Sequence, residues 1–267
     1  MAETRPNAAL PYTAAVISAA ALPPAQSVLL SVADPAGDVR GDGSYALPVT
    51  MRGLMERSLD LREFRVENHA GRLRLVVGMG GLDNPWESPR GFSAVMLDVY
   101  VKTDYGGKRE IGEKEQDFVT PPGSGWQRHY RVTGFGTRAW TADRDGNARE
   151  DARLPTVTAA GSAVVLDTNL PAGKYSYWVT ARVYSPLTPE GFVPPEVGAD
   201  EAGLGVARAD APSAVDVLYA GDQARAYQSH VLPATGELHD RRPLALLFLA
   251  AAGLVTAILA TFRAWRR

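Results

Sequence analysis

The chain has 267 residues, no cysteine, and 28 Lys+Arg against 30 Asp+Glu. Without cysteine there can be no disulfide, thiolate metal site or cysteine nucleophile. Without a basic excess there is little to neutralise a phosphate backbone, so nucleic acid is not an expected partner. With both ends set aside, about 200 residues remain, enough for one large domain or two small ones with a core that needs no cross-links.

Residues 1–26 read as a leader. A short, mildly apolar run over 8–22 ends near Ala19-Ala20-Ala21, a small-residue pattern suited to cleavage, although Glu3 offsets Arg5 and Pro11 interrupts the run. The reading is a weak signal peptide; a misassigned start or an uncleaved leader are the alternatives.

Residues 27–222 read as β structure. Leu73, Leu75, Val77 and Met79 alternate with a second set, as do Val95, Leu97, Val99 and Val101, and Tyr175, Tyr177, Val179, Ala181 and Val183. A period of two puts each set on one face of a strand. Further strands are expected at 28–32, 61–66, 129–132, 138–142, 162–167, 204–209 and 215–219. Turn formers separate them, at 68–71, 104–107, 145–147 and 171–173. Many short strands, with no capped helical stripe between them, predict an all-β antiparallel sandwich. Residues 186–204 carry four prolines and read as a long surface loop.

Asp34, Asp38 and Asp42 lie among glycines and offer oxygen ligands suited to Ca²⁺. The same residues also suit an Asp/Gly turn whose side chains bond their own backbone. The stretch Asp143-Arg144-Asp145-Gly146-Asn147 is a hairpin turn and not an EF-hand, because Ala148 occupies the position that needs Gly.

Sugar binding needs flat apolar faces against pyranose C–H groups and polar side chains for the hydroxyls. Trp86, flanked by Asn84 and Glu87 in a loop, is the best-placed platform; Trp126 and Trp178 follow, with Trp140 and Tyr184 behind them. Core packing competes as an explanation for each, since aromatics dominate cores. No residues stand out as catalytic. No carboxylate pair is singled out for glycoside hydrolysis, the four His lack metal-ligand spacing, and no nucleophile elbow or phosphate loop is present. Haem ligation by Met79 or Met96 with His69 or His129 is set aside, because Met on a strand face ordinarily fills core. The expected cofactors are therefore none, with Ca²⁺ the one candidate.

The C-terminus is the clearest physical signal. Residues 243–262 carry no charge, and at about 1.5 Å per residue they span roughly 30 Å, a bilayer's hydrocarbon thickness. Arginines flank both ends, at 241–242 and at 263, 266 and 267. A single transmembrane helix with a basic cytoplasmic tail (263–267) is expected; a long buried core helix is the alternative. Ahead of it, in a predicted stalk over 223–242, Leu232-Pro233-Ala234-Thr235-Gly236 resembles the LPXTG sorting signal of sortase substrates. That resemblance implies cleavage between Thr235 and Gly236 and attachment to the cell wall. A permanent membrane anchor is the equal alternative. Both place the body at the extracellular face of the membrane or in the wall.

One resemblance spans about residues 28–220. Asp34-Pro35-Ala36-Gly37-Asp38, then Gly41-Asp42-Gly43-Ser44-Tyr45 and Pro48, resembles the opening of the C-terminal domain of glucodextranase-like proteins, a DOMON-like β-sandwich family. In order there follow Leu59-Asp60-Leu61-Arg62-Glu63-Phe64, Asn84-Pro85-Trp86 with Gly91-Phe92-Ser93, Gly125-Trp126, Tyr130-Arg131-Val132 with Gly134, and Ala214-Val215-Asp216-Val217-Leu218. Val39-Arg40 depart from the pattern, where the family tends to carry a second acid. The resemblance implies a non-catalytic, sugar-binding or surface-associated module, with polysaccharide as partner: an α-glucan or an envelope glycan. A structural domain that docks a surface enzyme or an envelope layer is the other reading.

Overall fold

The computed structural model describes residues 27–112 and 117–236. The leader (1–26), the apolar span (243–262) and the basic tail (263–267) lie outside the described residues. Within them, no helix is long and apolar enough to cross a membrane.

The strands in chain order begin with β1 (Ser27–Ala33), β2 (Leu61–His69), β3 (Arg72–Met79) and β4 (Val95–Lys102). A short pair follows, β5 (Glu110–Ile111) and β6 (Phe118–Val119), then β7 (Arg128–Val132), β8 (Thr137–Ala142) and β9 (Ala148–Glu150). Next come β10 (Thr156–Ala160), β11 (Ala163–Pro171) and β12 (Ser176–Val183). The last are β13 (Pro195–Val197), β14 (Leu204–Val206), β15 (Asp216–Val217) and β16 (Thr235–Gly236). Among the described residues one α-helix, α1 (Gln223–Ser229), begins at Asp222, whose side chain accepts from the Arg225 amide, and two short 3-10 turns cover Val49–Met51 and Gly53–Ser58.

Two antiparallel sheets form the body. The first runs β1-β2-β3-β11-β10; the second runs β15-β12-β4-β7-β8-β9, with β16 added beside β12. The expected sandwich is therefore present. The β2–β3 hairpin turns on two residues, Ala70 and Gly71, both at positive φ. That is the primed turn whose twist matches paired strands, and Asn68 Oδ1 secures it by accepting from the Gly71 amide at 2.9 Å.

The core lies between the sheets. Phe64, Leu75 and Val77 of the first sheet face Val99, Tyr177 and Val179 of the second, and the Phe64 and Tyr177 rings meet at 5.2 Å. Every residue of β4 and β12 is buried, so the outward face of the second sheet is covered too. Residues 108–112, 117–126 and the C-terminal segment form that cover. Trp126 packs on Tyr100 at 5.6 Å, Phe118 meets Tyr227 of α1 at 4.9 Å, and the Trp178 indole N–H donates to the Leu232 carbonyl at 2.9 Å.

This cover corrects the predicted stalk. Leu232 is fully buried, and Thr235–Gly236 pairs with Tyr177 and Ser176 of β12. Residues 223–236 thus belong to the folded body; their apolar side chains close the outer face of β12. Leu232, Pro233, Thr235 and Gly236 stand in a docked segment, not an extended one. The predicted loop 186–204 is also more ordered than expected. Its β13 pairs in parallel with β14, and Phe192 is fully buried.

Candidate functional site

The segment after β3 carries Trp86. Asp83 anchors its start: Arg57 reaches the carboxylate at 3.0 Å and Ser58 Oγ donates to it at 2.6 Å. The Asp83 carbonyl accepts from the Ser93 amide at 2.9 Å, closing the loop at its base. Asn84 braces the turn from inside, accepting from the Ser88 amide at 2.8 Å and donating to the Ser88 carbonyl at 3.0 Å. The Trp86 amide donates to Ser93 Oγ at 2.9 Å. Glu87 takes a left-handed conformation (φ 51°) to complete the turn. Backbone and base are fixed while the indole is left 41% exposed.

Trp86 borders a groove of about 520 Å³, walled by Met51, Met55, Tyr184, Leu187 and Val193. Tyr184 in turn stacks with the half-exposed Phe135 at 5.7 Å. An apolar cleft bordered by an aromatic face is the surface that the C–H side of a sugar ring can cover.

Of the aromatic candidates for sugar contact, Trp86 and Tyr184 line this groove. Asn84 is committed to Ser88, and Glu87 is exposed in the same turn. Trp126 and Trp178 are 3% and 1% exposed. Neither can stack on a ligand: the Trp126 indole donates to the Glu110 carbonyl at 2.7 Å, and Leu232 covers Trp178. Strand alternation puts Trp178 outward correctly. What it does not show is that distant chain closes over that outward face.

The acidic loop also needs correcting. Asp42 stands apart, accepting from Ser44 Oγ at 2.5 Å and from the Ser44 amide at 3.0 Å, in a local turn. Asp34 and Asp38 instead join Asp216, with one carboxylate oxygen from each within 4.8 Å of the others. The place is the seam between the sheets. Asp34 follows edge strand β1, and Asp216 lies on edge strand β15, where its Oδ2 accepts from the Leu61 amide of β2 at 2.7 Å. Asp34 Oδ1 accepts from the Tyr219 amide at 2.9 Å. Gly41 permits the loop's return, because a Cβ there would sit 2.4 Å from the Tyr45 ring. Burial raises the Asp34 carboxyl to about 7 against the Tyr219 hydrogen bond, with Asp38 and Asp60 adding to the rise. Burial likewise pushes Asp216 well above the carboxylate range, helped by Asp34 and Asp38. Asp216 escaped the sequence reading. The available signal was an acid inside an otherwise apolar terminal strand, Ala214-Val215-Asp216-Val217-Leu218.

A second polar cluster lies under the cover of the second sheet. Asp98 Oδ1 accepts from His129 Nε2 at 2.5 Å and from Arg131 Nε at 2.8 Å; Oδ2 accepts from Arg182 Nη1. Arg182 continues to Ser213 Oγ at 2.7 Å, and the Asp117 carboxylate accepts from the Ser213 amide at 2.6 Å. Burial alone would raise the Asp98 carboxyl; the Arg131 and Arg182 guanidiniums and His129 outweigh it and hold it well below the usual range. Burial lowers the His129 imidazole more than Asp98 raises it, so the neutral Nε2–H tautomer donates. His129 also stacks between Tyr100 at 4.1 Å and Trp140 at 4.6 Å. Asp98 is 0% exposed and Arg182 1%, so this cluster braces the sheet and cannot meet a substrate.

The residues that carried the sequence resemblance now have places. The Asp34–Asp38 loop and the Asp216 strand meet at the seam, the Asn84–Trp86 turn presents the exposed indole, and Trp126 and Tyr130 fill core. No curated protein matches the chain. Residues 29–238 match the family described as the C-terminal binding-module, SLH-like, of glucodextranase, and the chain belongs to that family of binding modules.

Proposed function

We propose that the module binds polysaccharide, an α-glucan or an envelope glycan, in the groove beneath Trp86. The observation that carries this is the contrast between tryptophans. Trp126 and Trp178 are buried, while Trp86 is held exposed over an apolar cleft by a loop whose polar groups are satisfied internally. An ordered aromatic platform loses little entropy on binding. Membership of a binding-module family supports a non-catalytic role. The test is affinity electrophoresis of the purified full-length chain in detergent through gels containing α-glucans or cell-wall glycans. Retardation that Trp86→Ala abolishes, with melting temperature unchanged, is the expected result. No retardation by any glycan overturns the reading.

A second reading, docking of a surface enzyme or an envelope layer, is favoured by Leu54 and Leu187. They are 79% and 80% exposed, and Leu187 lies on the same groove. Glycan-independent co-purification of a protein, lost in Leu187→Ser, would select it. We place the module at the outer face of the cell, with residues 243–262 as its tether. Between a permanent tether and sortase processing, the docked strand Thr235–Gly236 and buried Leu232 support the tether, since cleavage there requires this segment to leave β12.

A further inference from the structure

We propose that Asp34, Asp38 and Asp216 hold a Ca²⁺ ion at the seam between the two sheets, and that this ion fastens the C-terminal segment to the loop after β1. The three carboxylates come from chain segments far apart in sequence and converge in a place that is mostly out of water. Asp34 is 8% exposed and Asp216 0%. Among the described residues no Lys or Arg pairs with any of the three; the nearby Arg62 guanidinium is held by Asp60. Ionised together, these buried carboxylates would repel one another and lose hydration, which a bound cation would offset.

The orphaned oxygens add to the case. Asp34 Oδ2 and Asp38 Oδ1 are buried without a hydrogen-bond partner, although the other Asp34 oxygen is satisfied by Tyr219. Independently of any acid, Gln223 of α1 shows the same feature. It is 7% exposed, and its Nε2 donates to the Asp38 carbonyl at 2.6 Å and the Gly41 carbonyl at 3.1 Å. That anchors the amide on the very loop that bears Asp38 and leaves its buried Oε1 beside it without a partner. A buried neutral oxygen without a partner, held on the loop whose Asp38 Oδ1 is also unpartnered, is the kind of donor that a cation site recruits.

The ion's identity follows from donors and spacing. The cluster contains no His or Cys, which disfavours Zn²⁺. Two oxygens each about 2.4 Å from one Ca²⁺ can be at most about 4.8 Å apart, and the three carboxylate oxygens fall within that limit. Mg²⁺ needs near 2.1 Å and a stricter octahedron. Residues 34–38, β15 and α1 would then share one ion, so its removal loosens the C-terminal cover from the body.

The experiment uses the full-length chain in detergent, stripped with EDTA and dialysed. Calorimetric titration with CaCl₂ is expected to show one ion per chain. At about 100-fold excess over Kd, the melting temperature rises by about 5–10 °C, with Mg²⁺ at equal concentration giving less. Asp38→Asn, in a half-exposed loop, loses the shift. Asp216→Asn, which keeps an acceptor for the Leu61 amide, loses it as well, and Asp42→Asn retains it. Wild-type protein that shows neither heat nor melting shift at millimolar Ca²⁺ overturns the proposal, as does an undiminished shift in Asp38→Asn. Neither result bears on glycan retardation through Trp86.

Discussion

Replacing Asp98 with Asn removes one charge from a fully buried cluster and changes little else in volume. In the native chain, the two Asp98 oxygens accept from three donors, His129, Arg131 and Arg182. An amide keeps one acceptor and turns a donor toward the remaining partner. The two guanidiniums, 8% and 1% exposed at their side chains, then face each other with less compensation. Breaking a buried ion pair by removing one partner costs about 3–5 kcal/mol, because the other charge stays buried. A domain of this size has about 5–15 kcal/mol in total, so Asp98→Asn should remove about a fifth or more. At about 2–4 °C per kcal/mol, the melting temperature drops by about 6–20 °C. Urea unfolding followed by the fluorescence of the buried indoles is the assay, with an unchanged slope marking a pure stability effect. A loss below about 1 kcal/mol would show that water reaches this cluster and that the cover formed by residues 108–112, 117–126 and 223–236 does not seal it.

Two further outcomes follow. Gly134→Ala would place a Cβ 1.7 Å from the Phe92 carbonyl and 2.2 Å from Ser88 Oγ. Since Ser88 braces the Trp86 turn, the substitution should lower both melting temperature and glycan retardation; a mobility on glycan gels equal to wild type would sever that link. For pH, His129 has a depressed pKa, so the folded chain binds its proton less readily than the unfolded chain. Its stabilising contribution is intact above about 6.5 and declines as pH falls below that value. His129→Gln retains a donor for Asp98 but cannot be protonated. The stability gap between wild type and this variant should narrow from pH 7 to pH 5, by at most about 1.4 kcal/mol per unit. A gap constant with pH in urea titrations would mean that His129 is not the neutral donor.

Much of the sandwich was legible because alternation is a local property. Leu73 to Met79 and Val95 to Val101 announce strands without reference to anything distant. Other features depend on segments far along the chain. Asp98, Thr180 and Arg182 alternate with apolar residues along their strands, yet all are buried, because distant chain folds over that face of the sheet. The same cover turned Trp126 and Trp178 from candidate platforms into core. It also turned the predicted stalk into α1 and β16, whose seven and two residues are too short for any periodic signal. Trp86 kept its candidacy for the opposite reason: Asn84, Pro85 and Trp86 form a turn whose presentation is decided within about ten residues. Asp38 and Asp216 could be joined only by the fold.

The docked C-terminal segment ties the two proposals to one mechanical route. If residues 243–262 are the tether, force on the module enters at Gly236. It meets first the two-residue pairing of β16 with β12, then Leu232 seated under Trp178, and then α1. A two-residue strand resists little by itself. What holds α1 behind it is Tyr227, packed on Phe118 and Tyr45 with its hydroxyl donating to the Ala214 carbonyl at 3.0 Å, and Gln223, fixed to the Asp38 loop. Both grips end at the β15 seam, next to Asp216. A cation there would act at the inner end of this route, where opening the segment must separate Gln223 from Asp38. The Trp86 groove is built from the β1–β2 segment, the β3–β4 loop and residues of and after β12, and none of its lining comes from α1 or β16, so a tether could loosen from its outer end without disturbing the groove. If the chain is tethered at a surface and binds through Trp86, this separation lets its attachment yield in steps while the groove stays assembled.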